Sequence, residues 1–222
     1  MKLDARRRER QQRFLAVDLY PVTCEKLSAG RSDENVLAGI IAGGAKIVQL
    51  RDKEADTATL YRKALTFRRL TAAAGVLLIV NDRIDVALAV DADGVHLGQQ
   101  DLPLAAARRL WPDRLIGIST HGLADALAAQ AGGADYVNIG PIFATRTKDG
   151  ASRYLGPGAI RDIAPQLKIP FTVMGGINAD NLDQVLAAGA RRVAVVTAVT
   201  QAPDVAGAVR ELRRRILSAG GV

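Results

Sequence analysis

The chain has 222 residues, 49% hydrophobic and 24% charged, which excludes a disordered chain and suits one large domain or two small ones with a substantial core. No apolar run approaches the roughly 18–20 residues of a membrane span. The single cysteine, Cys24, excludes an intramolecular disulfide and a cysteine-cluster metal site, and 4% aromatics are too few for a base-stacking surface. The net charge of +7 is uneven: Lys2, Arg6, Arg7, Arg8, Arg10 and Arg13 face only Asp4 and Glu9 in residues 1–13, so the rest of the chain is mildly basic. That balance suits phosphorylated small-molecule substrates. The basic start is expected to be a solvated or helical extension, with a nucleic-acid arm as the sharper alternative. It has no apolar signal core, and a cytoplasmic setting is expected.

Strands and helices are predicted in strict alternation. Leu15–Thr23 reads as the first strand, and Ser32-Asp33-Glu34 starts the first helix, which Gly43-Gly44 stops. Lys46–Leu50 is a short buried strand and Thr57–Ala74 a helix closed by Gly75. Val76–Val80 is the most apolar strand, as in a parallel sheet covered on both faces. Helix Ile84–Val90, strand Gly94–Leu97, helix Leu104–Leu110, strand Leu115–Ile118, helix Leu123–Ala131 and strand Tyr136–Ile139 follow. A long loop, Gly140 to Pro157, precedes helix Ala159–Ile163. Strand Phe171–Met174, helix Asn181–Ala188, strand Arg192–Val196 and helix Val205–Leu217 complete the chain. Glycine-assisted helix ends that feed a buried strand recur at Gly43-Gly44, Gly132-Gly133 and Gly189. Eight βα units predict a (β/α)8 TIM barrel of the α/β class, one domain over residues 14–222 after the basic N-terminal extension, residues 1–13. An open doubly wound sheet is the alternative, weakened by the lack of a glycine-rich dinucleotide fingerprint after the first strand.

In such a barrel, reactive residues follow the C-terminal ends of the strands. After the second strand, Gln49, Arg51 and Lys53 alternate and so can face one site. Asn81-Asp82 follows the third strand and Gly98-Gln99-Gln100-Asp101 the fourth. Each aspartate taken singly could cap the next helix, but as neighbours they form a plausible Mg²⁺ pair, completed by water and phosphate oxygens. Ser119-Thr120-His121 follows the fifth strand; adjacent residues point to opposite faces and no acid partner is evident, so a Ser–His triad is rejected. His121 is expected as an orienting donor or helix-start residue, and His96, inside a strand, as a packed or hydrogen-bonded histidine. After the sixth strand, Thr145-Arg146-Thr147-Lys148 combines hydroxyls, amides and cations suited to an anion. Gly175-Gly176 after the seventh strand lets backbone N–H groups approach a phosphate, and Val196-Thr197 follows the eighth. Two anion corners emerge: Arg51, Lys53 and Lys148 with a metal held by Asp82 and Asp101, and Thr145–Thr147 with Gly176 and Val196-Thr197. They suggest the joining of two phosphorylated small molecules.

The order of these motifs resembles the thiamine phosphate synthase (thiamine-phosphate pyrophosphorylase) family, from Leu19-Tyr20-Pro21-Val22-Thr23 through Val193–Thr200. The resemblance implies a Mg²⁺-dependent transferase of thiamine biosynthesis. It would condense 4-amino-2-methyl-5-(diphosphooxymethyl)pyrimidine with 4-methyl-5-(2-phosphooxyethyl)thiazole by a dissociative displacement, yielding thiamine phosphate and diphosphate. It assigns Gln49, Arg51, Lys53, Asn81, Ser119 and Lys148 to the pyrimidine diphosphate, with Arg51, Lys53, Ser119 and Lys148 as the catalytic set. Asp82 and Asp101 become the Mg²⁺ ligands, and Thr145, Arg146, Thr147, Gly176, Val196 and Thr197 bind the thiazole phosphate. Cys24 departs from the family, which usually has an aspartate there, and Thr197 stands where serine is common. The rivals are a thiazole tautomerase on the same barrel and a non-catalytic nucleic-acid or regulatory module using the basic tail. The expected partners are phosphorylated small molecules, with neither membrane nor nucleic acid; a homo-oligomer is left open.

Overall fold

Eight short strands carry the architecture of the computed structural model, which describes residues 2–145 and 154–220, with side chains from residue 5 onward. They are β1 (Leu19–Pro21), β2 (Ile47–Leu50), β3 (Leu77–Asn81), β4 (Gly94–Leu97), β5 (Leu115–Thr120), β6 (Tyr136–Ile139), β7 (Phe171–Val173) and β8 (Val193–Val195). All pair in parallel, in the order β1-β8-β7-β6-β5-β4-β3-β2. The two remaining edges meet through one parallel bridge, Val22 to Gln49, where the Thr23 amide donates to the Gln49 carbonyl at 2.9 Å. The sheet thus closes on itself as a (β/α)8 barrel, and the open doubly wound alternative is excluded.

The helices are α1 (Lys2–Leu15), α2 (Asp33–Ala42), α3 (Thr57–Ala74), α4 (Ile84–Ala89), α5 (Leu104–Leu110), α6 (Leu123–Ala131), α7 (Gly158–Ile163), α8 (Leu182–Ala187), α9 (Thr197–Thr200) and α10 (Val205–Ser218). Side-chain oxygens of Ser32, Asp56 and Asp204 accept amide hydrogens in the first turns of α2, α3 and α10. Those bonds satisfy donors that a helix start otherwise leaves without partners.

The period of two along each strand sorts the side chains. Outward positions such as Val48, Leu50, Leu78, Val80, Val95, Leu97, Ile116, Ile118, Val137 and Ile139 are aliphatic and form the core between strands and helices. Inward positions change character along the barrel axis. Ile47, Leu77, Ile79, Leu115 and Tyr136 belong to the inner core, whereas Gln49, Asn81, Ser119 and Asn138 line a cavity at the C-terminal ends. An apolar floor and a polar mouth therefore follow from strands that are largely apolar on one face and graded on the other.

Two elements differ from the sequence expectation. Leu15 ends a helix rather than starting the first strand, because Arg7, Arg10, Gln11 and Phe14 share one helical face that meets the bottom of the barrel. Arg7 and Gln11 each reach Asp135 Oδ1 at 2.8 Å, Arg10 lies 3.4 Å from Asp93, and Phe14 is fully buried. Those aspartates stand just before β4 and β6, and each also accepts a strand amide, Leu78 for Asp93 and Ile116 for Asp135. Helix α1 is the helical form of the expected extension, and α9 is additional to the eight helices expected.

Candidate active site

The strand ends surround a cavity of about 460 Å³. Eleven of the fourteen residues singled out from the sequence line it: Gln49, Arg51, Lys53, Asn81, Asp82, Asp101, Ser119, Thr145, Gly176, Val196 and Thr197. Arg146, Thr147 and Lys148 lie outside the described residues.

One corner is built from charge. Lys53 Nζ lies 3.0 Å from Asp82 Oδ2. Asp101 Oδ2 accepts the Gly98 amide at 2.6 Å. Burial, and after it the neighbouring Asp82 carboxylate, push the Asp101 carboxyl above its ordinary value, against the Gly98 bond and the Lys53 charge. Neither aspartate caps a helix: the first residues before α4 and α5 are Arg83 and Pro103, with no side-chain cap bond. The helix-capping alternative for each aspartate taken singly is thereby excluded. The Asp82 φ of +60°, uncommon for a residue other than glycine, turns its side chain to the cavity instead. Two adjoining carboxylates open to one cavity fit a hard divalent cation with oxygen ligands.

The segment that carries Arg51 and Lys53 is held from behind. Asp52 Oδ1 accepts the amides of Glu54 and Ala55, each at 3.1 Å, while Asp52 Oδ2 meets Lys63 Nζ at 2.6 Å. Lys63 also contacts Glu25 and, at 3.1 Å, the buried Asp33. Burial raises the Asp33 carboxyl to about 6, with Lys63 opposing it. For Asp52, burial is outweighed by Lys63 and the two amides, and its carboxyl falls below the ordinary value. This acidic cluster already encloses a cation, the lysine itself. At the departure from the family pattern, Arg51 Nη1 donates to Cys24 Sγ at 3.6 Å.

The opposite corner is built from backbone. Gly176 has φ +62°, and a side chain there would run into the Ala144 carbonyl oxygen. The Phe143 amide donates to the Gly175 carbonyl and the Asn181 side-chain amide to that of Gly176, both at 2.9 Å, so the glycine turn and the start of the loop after β6 form one piece. His121 Nδ1 meets the Gly140 carbonyl at 2.7 Å.

Between the corners runs a polar chain that the sequence did not reveal. Gln49 Nε2 donates to Tyr20 Oη (2.9 Å), Tyr20 and Tyr136 hydroxyls meet at 2.9 Å, Tyr136 Oη lies 3.1 Å from His96 Nδ1, and His96 Nε2 lies 2.9 Å from Ser119 Oγ. Burial drives both phenols well above the ordinary tyrosine range, so both keep their protons. Ser119 does pair with a histidine, but one from β4 backed by a phenol rather than a carboxylate, so no triad forms. The only local signal was two tyrosines and a histidine among otherwise apolar strand residues.

A closed parallel barrel with a polar, charge-bearing mouth at the C-terminal ends of its strands defines a (β/α)8-barrel enzyme. The family described as thiamine monophosphate synthase matches residues 19–199. The thiamine-phosphate synthase of Chloroflexus aurantiacus is 52% identical over 195 residues, 88% of this chain and 90% of that protein. That of Methanospirillum hungatei is 48% identical over 87% of this chain and 94% of that protein. The solved thiamine phosphate pyrophosphorylase from Pyrococcus furiosus superposes with a TM-score of 0.87 at 38% identity, covering 95% of this chain and all of that one. A 3-hexulose-6-phosphate synthase, at 19% identity and a TM-score of 0.61, shares the fold alone. The chain belongs to the thiamine monophosphate synthase family, transferases of thiamine biosynthesis. Among the described residues no helix is long and apolar enough to cross a membrane.

Proposed function

We propose that the chain condenses the aminopyrimidine diphosphate with the thiazole monophosphate, and that the two corners divide the substrates between them. The observation that carries this reading is the meeting of Lys53, Asp82 and Asp101 at one cavity wall, with Arg51 lining the same cavity. A thiazole tautomerase on the same barrel has no use for that set.

In the proposed reaction the bond between the pyrimidine methylene carbon and the diphosphate oxygen breaks, its electron pair leaving with the diphosphate. The thiazole nitrogen then donates its lone pair to that carbon, and a C–N bond replaces the C–O bond. Arg51 and Lys53, with Lys148 on sequence grounds, bind the diphosphate and stabilise the charge that grows on it, an interaction stronger in the transition state than before it. Gln49, Asn81 and Ser119 hold the pyrimidine ring. Thr145, Gly176, Val196 and Thr197, joined on sequence grounds by Arg146 and Thr147, hold the thiazole phosphate, whose nitrogen must be aimed at the reacting carbon. Asp82 and Asp101 would hold Mg²⁺, which when bound neutralises charge on the diphosphate oxygens. No side-chain nucleophile takes part.

The pairing of Arg7, Arg10 and Arg13 with Asp135 and Asp93 weighs against a nucleic-acid arm. The basic extension, residues 1–13, is read instead as a structural helix before the barrel domain, and a biosynthetic role of this kind suits the cytoplasm. Incubating the purified protein with both substrates and Mg²⁺ tests the proposal. Thiamine phosphate and diphosphate in equal amounts are expected; thiazole isomerisation without condensation would assign the tautomerase instead.

A further inference from the structure

The chain from Gln49 to Ser119 has a direction. Gln49 Nε2 can only donate, so Tyr20 Oη accepts; either phenol can donate in the bond between them, and only the order in which Tyr20 donates to Tyr136 Oη gives the buried Tyr20 proton a partner among these groups. The Tyr136 proton then faces His96 Nδ1, which must be bare to accept it. A neutral imidazole with a bare Nδ1 carries its proton on Nε2 and donates it to Ser119 Oγ. The Ser119 hydroxyl, whose oxygen is taken up this way, offers its own proton to the cavity.

The barrel is shaped to permit this chain. His96, Gly117 and Tyr136 occupy one rung across β4, β5 and β6. A Cβ at Gly117 would fall on the Tyr136 ring and hydroxyl, so the missing side chain is what lets the phenol cross β5 to reach the histidine. From below, Phe14 of α1 stacks on Tyr136 with ring centroids 4.3 Å apart. The terminal helix thereby holds the ring at the middle of the chain.

We propose that Tyr20, Tyr136 and His96 are positioning residues that fix the Ser119 hydroxyl as a hydrogen-bond donor, and the Gln49 amide oxygen as the acceptor end, toward a substrate ring carrying an acceptor nitrogen beside an amino group. The inference rests on the proposed condensation, since it names the ring edge that the same site accepts. It predicts opposite tautomers for the two histidines of the chain: His96 protonated at Nε2, and His121 at Nδ1, where it donates to the Gly140 carbonyl.

Two measurements on the full chain test it. Nitrogen-15 NMR of the wild-type protein near neutral pH, assigned by the loss of one imidazole in a His121→Gln variant, needs no change in the network. A pyridine-like Nδ1 and pyrrole-like Nε2 at His96 are expected; a protonated Nδ1 overturns the proposal. Kinetics supply the second test. Tyr136→Phe keeps the stack on Phe14 but removes the hydroxyl, and kcat is expected to fall on the order of tenfold with little change in KM for the thiazole phosphate. In a Ser119→Ala background the same change should cost less than about twofold, since Tyr136 acts through that serine. Equal loss in both backgrounds, or no loss in either, overturns the proposal, and Tyr20→Phe is expected to follow the same pattern if Tyr136→Phe does not fold. Failure of wild type to form thiamine phosphate at all would count against the proposed reaction, whereas the NMR result bears on the network alone.

Discussion

Replacing Lys63 by methionine removes a charge while keeping the length and much of the packing of the side chain. In the wild type Lys63 Nζ touches Asp52 at 2.6 Å and Asp33 at 3.1 Å, and also contacts Glu25. The Asp33 side chain is 1% exposed, so its carboxylate has little water to turn to once the lysine is gone. Removing one partner of a buried ion pair typically costs about 3–5 kcal/mol. Lys63 is itself 19% exposed and Glu25 far more so, which places the expected loss at the lower end, about 3 kcal/mol near pH 8.

The loss should depend on pH with a definite sign. Asp33 titrates at about 6 in the fold against 3.8 as its ordinary value, so its protonation favours the folded state as pH falls through that window, and stability from this group is lost as pH rises through it. Without Lys63 that carboxyl moves higher still, and Asp52 loses the partner that holds it low. Both carboxyls can then take up protons in the folded variant. The difference from wild type should therefore shrink to about 1 kcal/mol near pH 4.5. Urea unfolding at both pH values, read as a midpoint shift at constant slope, measures it. A loss of the same size at both would refute the argument. Because Asp52 also anchors the amides of Glu54 and Ala55, the variant should raise KM for the pyrimidine diphosphate several-fold and leave KM for the thiazole phosphate unchanged.

Other expectations follow from the same structure. Asp101→Asn and Asp82→Asn should each lower kcat on the order of a hundredfold and shift the Mg²⁺ dependence to higher concentration; unchanged rates at limiting Mg²⁺ would remove both from the metal assignment. Phe14→Ala, which deletes a fully buried ring stacked on Tyr136, should cost about 3–5 kcal/mol and lower Tm by roughly 10 °C in calorimetry. A loss below about 1 kcal/mol would show that α1 is not seated on the barrel. Gly176→Ala, forced against the Ala144 carbonyl at a positive φ, should raise KM for the thiazole phosphate at least tenfold more than KM for the pyrimidine diphosphate, and calorimetric titration with each substrate checks the division.

Much of this molecule is decided locally. Buried parallel strands must be apolar on the outward face, so Val76–Val80 and its counterparts announce themselves as short aliphatic runs, and Ser32, Asp56 and Asp204 mark helix starts by the bonds they alone can make. The gathering of the candidate site was legible for the same reason: once a strand is placed, the period of two sends Gln49 and Arg51 to one side, and the residues after each strand converge on one mouth. The rest depends on partners far along the chain. The single bridge between Val22 and Gln49 that closes the barrel has no signature in either segment. The basic start allowed a helix, and Arg7, Arg10, Gln11 and Phe14 have helical spacing, but where that face docks is set by Asp93, Asp135 and Tyr136, which come together only at the barrel floor. Likewise Tyr20, Tyr136, His96 and Ser119 are separated by up to 116 residues and form one hydrogen-bonded chain only because closure brings β1, β6, β4 and β5 around a common axis. Periodicity records which face a residue takes; which residue waits on that face from another strand is fixed only when the barrel closes.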